Sequence, residues 1–382
     1  MPKKRDILFI SSWFPNALAP TLGNFVERHA EAISTMHRVF VVHVVPDSSR
    51  LWPRFVYRQQ GDLHIGILYH PAIRPHRWFR RFFFDFAYRR MRTAVGFTPE
   101  LVHVNVLHPM GDIAVRMAER MNLPLVATEH WTGYHPNTHN HLSRQQWTKL
   151  TQVAAKCAVI CPVSEHLAKA MKARGLDGDF RVIGNVVDTE LFTHPAERKT
   201  KKQLLHVSNL LDVHKNVSGI LRAFKAALAH DEELHLTIIG DGDLAPHRQL
   251  ARELKLPPHA LTFQGTTSIE GIAKAMQTAG ALVLFSNYEN LPCVIGEALA
   301  TGLPVISTTV GGIPEHLNAQ RGWLIEPQDE AGLTQAMLAV GVSGERFNTE
   351  ALSAYSVEHF SREAIAKAYT DVYLSALNTH RR

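Results

Sequence analysis

Two doubly wound α/β domains, each on a parallel sheet and facing each other across a cleft, are the fold class this sequence predicts. The first observation is a length of 382 residues, too long for one ordinary core. The second is a set of short apolar runs that alternate with helical periodicity and then start over past residue 200. The third is a change of charge sign. Up to Asn185 there are 24 Lys+Arg against 13 Asp+Glu, and beyond it 17 against 22. Halves of opposite sign suggest unlike ligands.

In the first half, ILFIS (7–11) and VFVVHVV (39–45) read as buried strands, with a helix over 24–36 between them. LVHVNVL (101–107), LPLVATEH (123–130) and CAVICPVS (157–164) continue the layer, separated by helical segments near 111–121 and 144–156. The pattern restarts with QLLHVS (203–208), LHLTII (234–239), LTFQ (261–264), ALVLFS (281–286) and PVIS (304–307). HPAERKTKK at 194–202 looks like a solvated linker. The tail, 356–376, has the pattern of one amphipathic helix with Ser361 as an N-cap.

Three cysteines are too few for a disulfide framework and point to a reducing, cytoplasmic compartment. No segment approaches the roughly 20 apolar residues that span a bilayer. Residues 74–92 (RPHRWFRRFFFDFAYRRMR) combine seven Arg and a run of aromatic residues with one acid, Asp85. They read either as a helix with an aromatic core face and a solvated Arg face, or as a patch for the inner face of an anionic membrane or a lipid-linked phosphate acceptor.

SNYENLPCVIGEALATGLPVIS (286–307) places two carboxylates, Glu289 and Glu297, in an apolar stretch with no cation beside them in sequence. ALVLFS ends at Ser286, a loop runs to Leu291, Pro292 suits the first turn of a helix, and Gly302 suits its C-cap. Ligands in open α/β sheets bind outside the carboxyl ends of strands, where helix N-termini favour anions. On that layout Glu289 faces the ligand and Glu297 lies more than a turn into the helix, both able to accept hydrogen bonds from hydroxyl groups. The plainer alternative is a loop acid and a helix-surface acid.

Glu289-x7-Glu297 with EALATGLPVIST and VGGIPE (310–315) resembles the signature of family 4 of the retaining glycosyltransferases, which have the GT-B architecture. The resemblance is collinear through SSWFPNALAPTLGNFVERHAEAI (11–33), TEHWTG (128–133), RVIGNVVDTELF (181–192), VSNLLDVHKN (207–216) and IIGDGDL (238–244). It implies that Glu297 holds the ribose of a nucleotide-sugar and Glu289 the donor-sugar hydroxyls. Lys215 would neutralise the donor phosphates, and His130 would hydrogen-bond the donor sugar or its phosphate. The Gly23 loop, with Asn24 beside it, would approach the pyrophosphate. Asn209, Gln264, Asn290, Leu291 and Cys293 complete the donor contacts implied in this way. Asn209 stands where the family usually has an Arg, Gly184 where it often has Pro, and Pro292 where it often has Gly.

The expectation is therefore an acceptor-binding domain over 1–185, with the helix 361–382 packing back on it, and a nucleotide-sugar-binding domain over 200–358. The activity implied is metal- and cofactor-independent transfer of a hexosyl group to a saccharide or lipid-linked acceptor. A GT-B phosphorylase or epimerase, and a non-catalytic nucleotide-sugar-binding partner subunit, stand as alternatives. Nucleic acid is not an expected partner, and oligomeric state is not readable. Gly240-Asp-Gly242-Asp-Leu-Ala245 fits a dinucleotide fingerprint, but Pro246 follows and no acid ends the next strand. His139 and His141 lie in a polar loop without an acid or Cys beside them, which argues against a metal site.

Overall fold

The computed structural model describes residues 3–72, 76–136, 142–196, 202–342 and 347–381, with the side chains of 76–78 and 341–342 left out. The central part of the 194–202 segment, the start of the Arg-rich stretch, His139 and His141 lie outside the described residues. The chain divides into two compact units, Met1–Val186 with Arg362–Arg382, and Val187–Ser361.

Unit 1 runs through β1 (Asp6–Ser11), α1 (Asn24–Ser34), β2 (Arg38–Asp47), β3 (Arg54–Gln60), β4 (Leu63–Pro71), α2 (His76–Val95), β5 (Leu101–Asn105), α3 (Leu107–Met121), β6 (Leu125–Glu129), α4 (Arg144–Ala154), β7 (Val159–Pro162) and α5 (Glu165–Ala173). Its seven strands order as β3-β4-β2-β1-β5-β6-β7. All neighbours are parallel except β3, which pairs antiparallel with β4 at the edge. The β3–β4 hairpin is absent from the strand pattern read above. RFVYRQQ is largely exposed and polar, so its strand character comes from pairing with the buried β4 rather than from apolar alternation.

Unit 2 runs through β8 (Gln203–Ser208), α6 (Asp212–Lys215), α7 (Val217–Leu228), β9 (His235–Gly240), α8 (Ala245–Glu253), β10 (Leu261–Gln264), α9 (Ile269–Thr278), β11 (Ala281–Leu284), α10 (Cys293–Ala300), β12 (Val305–Thr308), α11 (Ile313–His316), β13 (Gly322–Ile325), α12 (Glu330–Val342) and α13 (Thr349–Phe360). Its six parallel strands order as β10-β9-β8-β11-β12-β13. The chain leaves unit 1 after Val186 and returns to it in α14 (Arg362–His380).

The tail is two helices, not one. Ser361 takes an extended conformation (φ −60°, ψ 155°) between α13 and α14, and Val187 N donates to Phe360 O at 2.8 Å. A bridge from Val187 to Ser361 thus replaces a helical turn. Beyond the break, Ile365, Tyr369, Val372, Tyr373 and Ala376 enter the core cluster of unit 1. Each unit has its own apolar core, built from strand residues and the inward faces of the flanking helices.

Candidate functional site

In unit 2 the chemistry-bearing side chains gather at the carboxyl ends of β8 and β11, adjacent strands of the sheet. β11 ends at Leu284, and the loop that follows turns Glu289 back onto the chain. Lys215 Nζ lies 2.5 Å from Glu289 Oε1, and Ser286 Oγ donates to the same oxygen at 2.8 Å. Glu289 has no cation beside it in sequence, and its cation partner comes from 74 residues away. Both side chains are mostly buried, at 17% exposure for Lys215 and 10% for Glu289. Water therefore screens the pair less than it would a surface pair.

Backbone packing fixes both loops. Asn287 N donates to His214 O at 2.7 Å and its Nδ2 to Val213 O, which locks the Lys215 segment to the Glu289 loop. The Asn216 side chain, in a left-handed residue (φ 48°), caps α7 through Gly219 N. Gly311 has φ 61°, and a Cβ there would sit 2.0 Å from Glu289 O, so only glycine lets the loop after β12 lie against the Glu289–Asn290 backbone. Gly312 N then donates to Asn290 O at 2.6 Å.

Asn209 has a structural task where the family pattern has a cation. Its Oδ1 accepts from Leu211 N at 3.2 Å and supports the turn that carries Leu210 at φ 58°. Beneath it, burial pushes His206 down to about 4, so the ring is neutral. Its Nδ1 donates to Val283 O at 2.8 Å, which makes Nε2 the acceptor from Ser208 Oγ at 2.7 Å; Ser208 Oγ in turn accepts from Leu210 N.

Glu297 is buried at 6% exposure in the second turn of α10. That helix begins at Cys293, with Pro292 at the cap position rather than in the first turn; no side chain caps it. Its first N–H groups thus present the positive end of the helix beside Asn290 and Leu291. Gln264 ends β10, the edge strand, two places from β8.

His130, Gly23 and Asn24 belong to unit 1. Gly23 has φ 69° at the start of α1, and a Cβ would come within 2.5 Å of the Trp13 carbonyl. Asn24, the first residue of α1, is exposed. The His130 imidazole packs 4.6 Å from Phe25 and 5.1 Å from His29, centroid to centroid. Burial, then the neighbouring His29 and His103, holds its pKa well below the usual value, so it is neutral and can serve as a hydrogen-bonding group without carrying charge.

Glu129 is the residue that the sequence reading passed over. It is fully buried, and its carboxylate gathers four donors: His130 N and Trp131 N on Oε1, each at 2.9 Å, and Leu107 N at 3.1 Å and Tyr134 Oη at 2.8 Å on Oε2. Burial pushes its carboxyl pKa up while those bonds pull it down. An acid closing the buried run LPLVAT was the available signal, since such a group persists only when fully hydrogen-bonded. Among the described residues no cluster of three His, Cys, Asp or Glu could hold a metal.

Solved structures of similar shape include sucrose-phosphate synthase from Thermosynechococcus elongatus. It matches at 19% identity and TM-score 0.78, covering 98% of this chain and all of the other. HepE of Anabaena in complex with UDP matches at 16% identity and TM-score 0.74, covering 97% of this chain and all of the other. These show a shared GT-B fold. In sequence, TuaC of Bacillus subtilis (strain 168), assigned by its name to teichuronic acid biosynthesis, is 25% identical over 357 residues, 87% of this chain and 88% of that one. Residues 22–191 match the family described as glycosyltransferase family 4, and residues 201–340 the family described as glycosyl transferases group 1. With the two matches spanning both units, this chain belongs to the family 4, group 1 glycosyltransferases and is an enzyme of hexosyl transfer.

Proposed function

We propose that the protein is a retaining glycosyltransferase that takes its sugar from a nucleotide-diphosphate sugar. The observation that carries this reading is the mostly buried Lys215–Glu289 pair in front of the uncapped start of α10, with Glu297 one turn behind. A diphosphate would meet a cation and a helix N-terminus there, and the two carboxylates would serve as acceptors for hydroxyl hydrogens of sugar and ribose. Binding the donor shifts Lys215 from Glu289 to the phosphates, and Glu289 then takes up donor-sugar hydroxyls.

In the transfer step, the bond from the anomeric carbon to phosphate oxygen breaks with its electron pair on the phosphate. The acceptor oxygen bonds to the same face of that carbon, and its proton passes to the departing phosphate oxygen. Lys215 and the α10 N–H groups stabilise that developing charge; neutral His130 supplies a hydrogen bond to the donor sugar or its phosphate. No protein base, metal or cofactor enters this scheme. HepE was solved with UDP, which makes a uridine diphosphate donor the first to test. The relation to TuaC supports an acceptor in polysaccharide or glycolipid assembly.

The decisive experiment is a thermal-shift panel of uridine, guanosine and adenosine diphosphates and their sugars, followed by donor turnover. A true ligand at 100 times its Kd adds about 2.7 kcal/mol to stability. Glu297→Ala and Lys215→Ala are each expected to cut turnover at least tenfold; unchanged rates in both overturn the assignment. With Asn209 uncharged, a non-catalytic partner subunit is the second reading, and nucleotide binding without sugar release is its signature.

We also infer a place at the inner face of the cytoplasmic membrane. Among the described residues no helix is long and apolar enough to cross a bilayer. On α2, Phe79, Phe82 and Phe86 are 36%, 62% and 39% exposed, beside exposed Arg89, Arg90 and Arg92. Salt-sensitive binding to anionic vesicles is the measurable consequence.

A further inference from the structure

We propose that a cavity in unit 1 beside His108 binds an anionic group, a carboxylate or a phosphate, carried by the acceptor sugar. The cavity measures about 250 Å³ and is walled by α2, α3 and α4, with Arg80, His108, Asp112, Gln146 and Lys149 supplying its polar surface. That volume is at the small end for ligand sites and suits one monosaccharide unit.

Its place in the fold favours a ligand. Leu107 and His108 lie just past Val106, which follows β5 at the carboxyl edge of the sheet, where open α/β folds bind ligands. Glu129 also couples the cavity to the candidate catalytic segment, since one of its oxygens accepts from Leu107 N and the other from His130 N. A group held in the cavity therefore sits on the same scaffold as His130.

Charge selects the class of ligand. Asp112 is the one acid on the wall, and both Arg80 and Arg81 reach it, at 3.3 and 3.2 Å. Lys149 adds a further cation from α4. Cations thus outnumber the acid, and a guanidinium with five donors can be oriented by Asp112 while still addressing an anion.

A stack of planar groups flanks the charged wall. Trp131 lies 6.0 Å from His108 at 28° and 6.2 Å from Trp147 at 23°, and the Arg174 guanidinium sits 5.1 Å over Trp147. Of this stack His108 is the member that lines the cavity, so its imidazole is the planar group that can pack against the apolar C–H side of a sugar ring while the charged substituent reaches Arg80 and Lys149.

This inference rests on the glycosyltransferase reading for its acceptor, so the test separates the two. Calorimetric titration of the full chain, first saturated with whichever nucleoside diphosphate it binds, compares glucuronate, glucose 6-phosphate and neutral glucose. Both anionic sugars, or the one whose charge the site prefers, are expected to bind at least tenfold more tightly than glucose. Lys149→Ala, at an exposed position that does not threaten folding, and Arg80→Gln are each expected to weaken the anionic sugar about tenfold, with nucleotide affinity unchanged. Equal binding of glucose, no binding of either anion, or full affinity in both variants overturns the inference. Absence of any nucleotide binding defeats the donor reading instead, and the sugar titrations still decide the cavity.

Discussion

Glu129 has four donors on two oxygens, and that count decides what a substitution does. In Glu129→Gln the amide keeps one acceptor oxygen and turns two hydrogens toward groups that are themselves donors. Each donor left unmatched in a buried site costs about 1–3 kcal/mol. The variant is expected to lose roughly 2–4 kcal/mol of stability, and kcat is expected to fall more than the donor KM rises, because His130 moves while the unit 2 residues do not. Adding Tyr134→Phe removes the one partner whose hydroxyl can turn to accept from the amide, and is expected to lower stability further. Chemical denaturation with steady-state kinetics checks both; a Glu129→Gln protein with normal stability and kcat removes the positioning role. Glu289 and Glu297 stood out in the sequence because they lie in one short strand–loop–helix passage, and Lys215 through the family resemblance. Their pairing was not legible, since it depends on β8 lying next to β11.

At the scale of elements, the strands with continuous apolar runs were readable and those shaped by their partners were not. ILFIS and VFVVHVV are buried on both faces, so their composition alone marks them. β3 is polar and takes its form from β4, and although Ser361 reads as an N-cap, the helix before it has neither Gly nor Pro to mark its end. The Arg-rich helix α2 has the aromatic core face of the first reading offered for it. Phe83, Phe84, Ala87, Tyr88 and Met91 are buried in unit 1, whereas Phe82 and Phe86 recur at helical spacing on the exposed side with the arginines. A basic residue near an anionic bilayer contributes about 1 kcal/mol. Replacing Arg89, Arg90 and Arg92 with Gln is thus expected to weaken binding to phosphatidylserine-containing vesicles on the order of a hundredfold. Cosedimentation that persists in this triple variant overturns the membrane role.

For the molecule as a whole, the histidines set the response to acid. Burial pushes His29 and His43 down to about 4 and His103 to about 3 in unit 1, and His206 to about 4 in unit 2; all four are fully enclosed. Their neighbours supply little charge to offset this. His29 meets backbone oxygens of Phe25 and Gly184, His43 that of Ser11, and His103 the hydroxyls of Tyr373 and Thr128. In the unfolded chain the same side chains titrate near 6.5. As pH falls below 6.5, the unfolded state takes up protons that the folded state refuses, so stability declines from there until the folded values near 4 are reached. Each enclosed histidine removes on the order of 1.4 kcal/mol per pH unit in that window. The raised carboxyl of Glu129 acts with the opposite sign, as one group against four enclosed histidines in unit 1, since burial holds His130 well down as well. Between pH 6 and 5, before most carboxylates titrate, the melting transition of unit 1 is expected to fall by about 10 °C and that of unit 2 by much less. Differential scanning calorimetry across this range checks it. A transition that holds its temperature from pH 6 to 5 means that the enclosed unit 1 histidines gain protons without unfolding, and the neutral state assigned to the ring cluster around His130 falls with it.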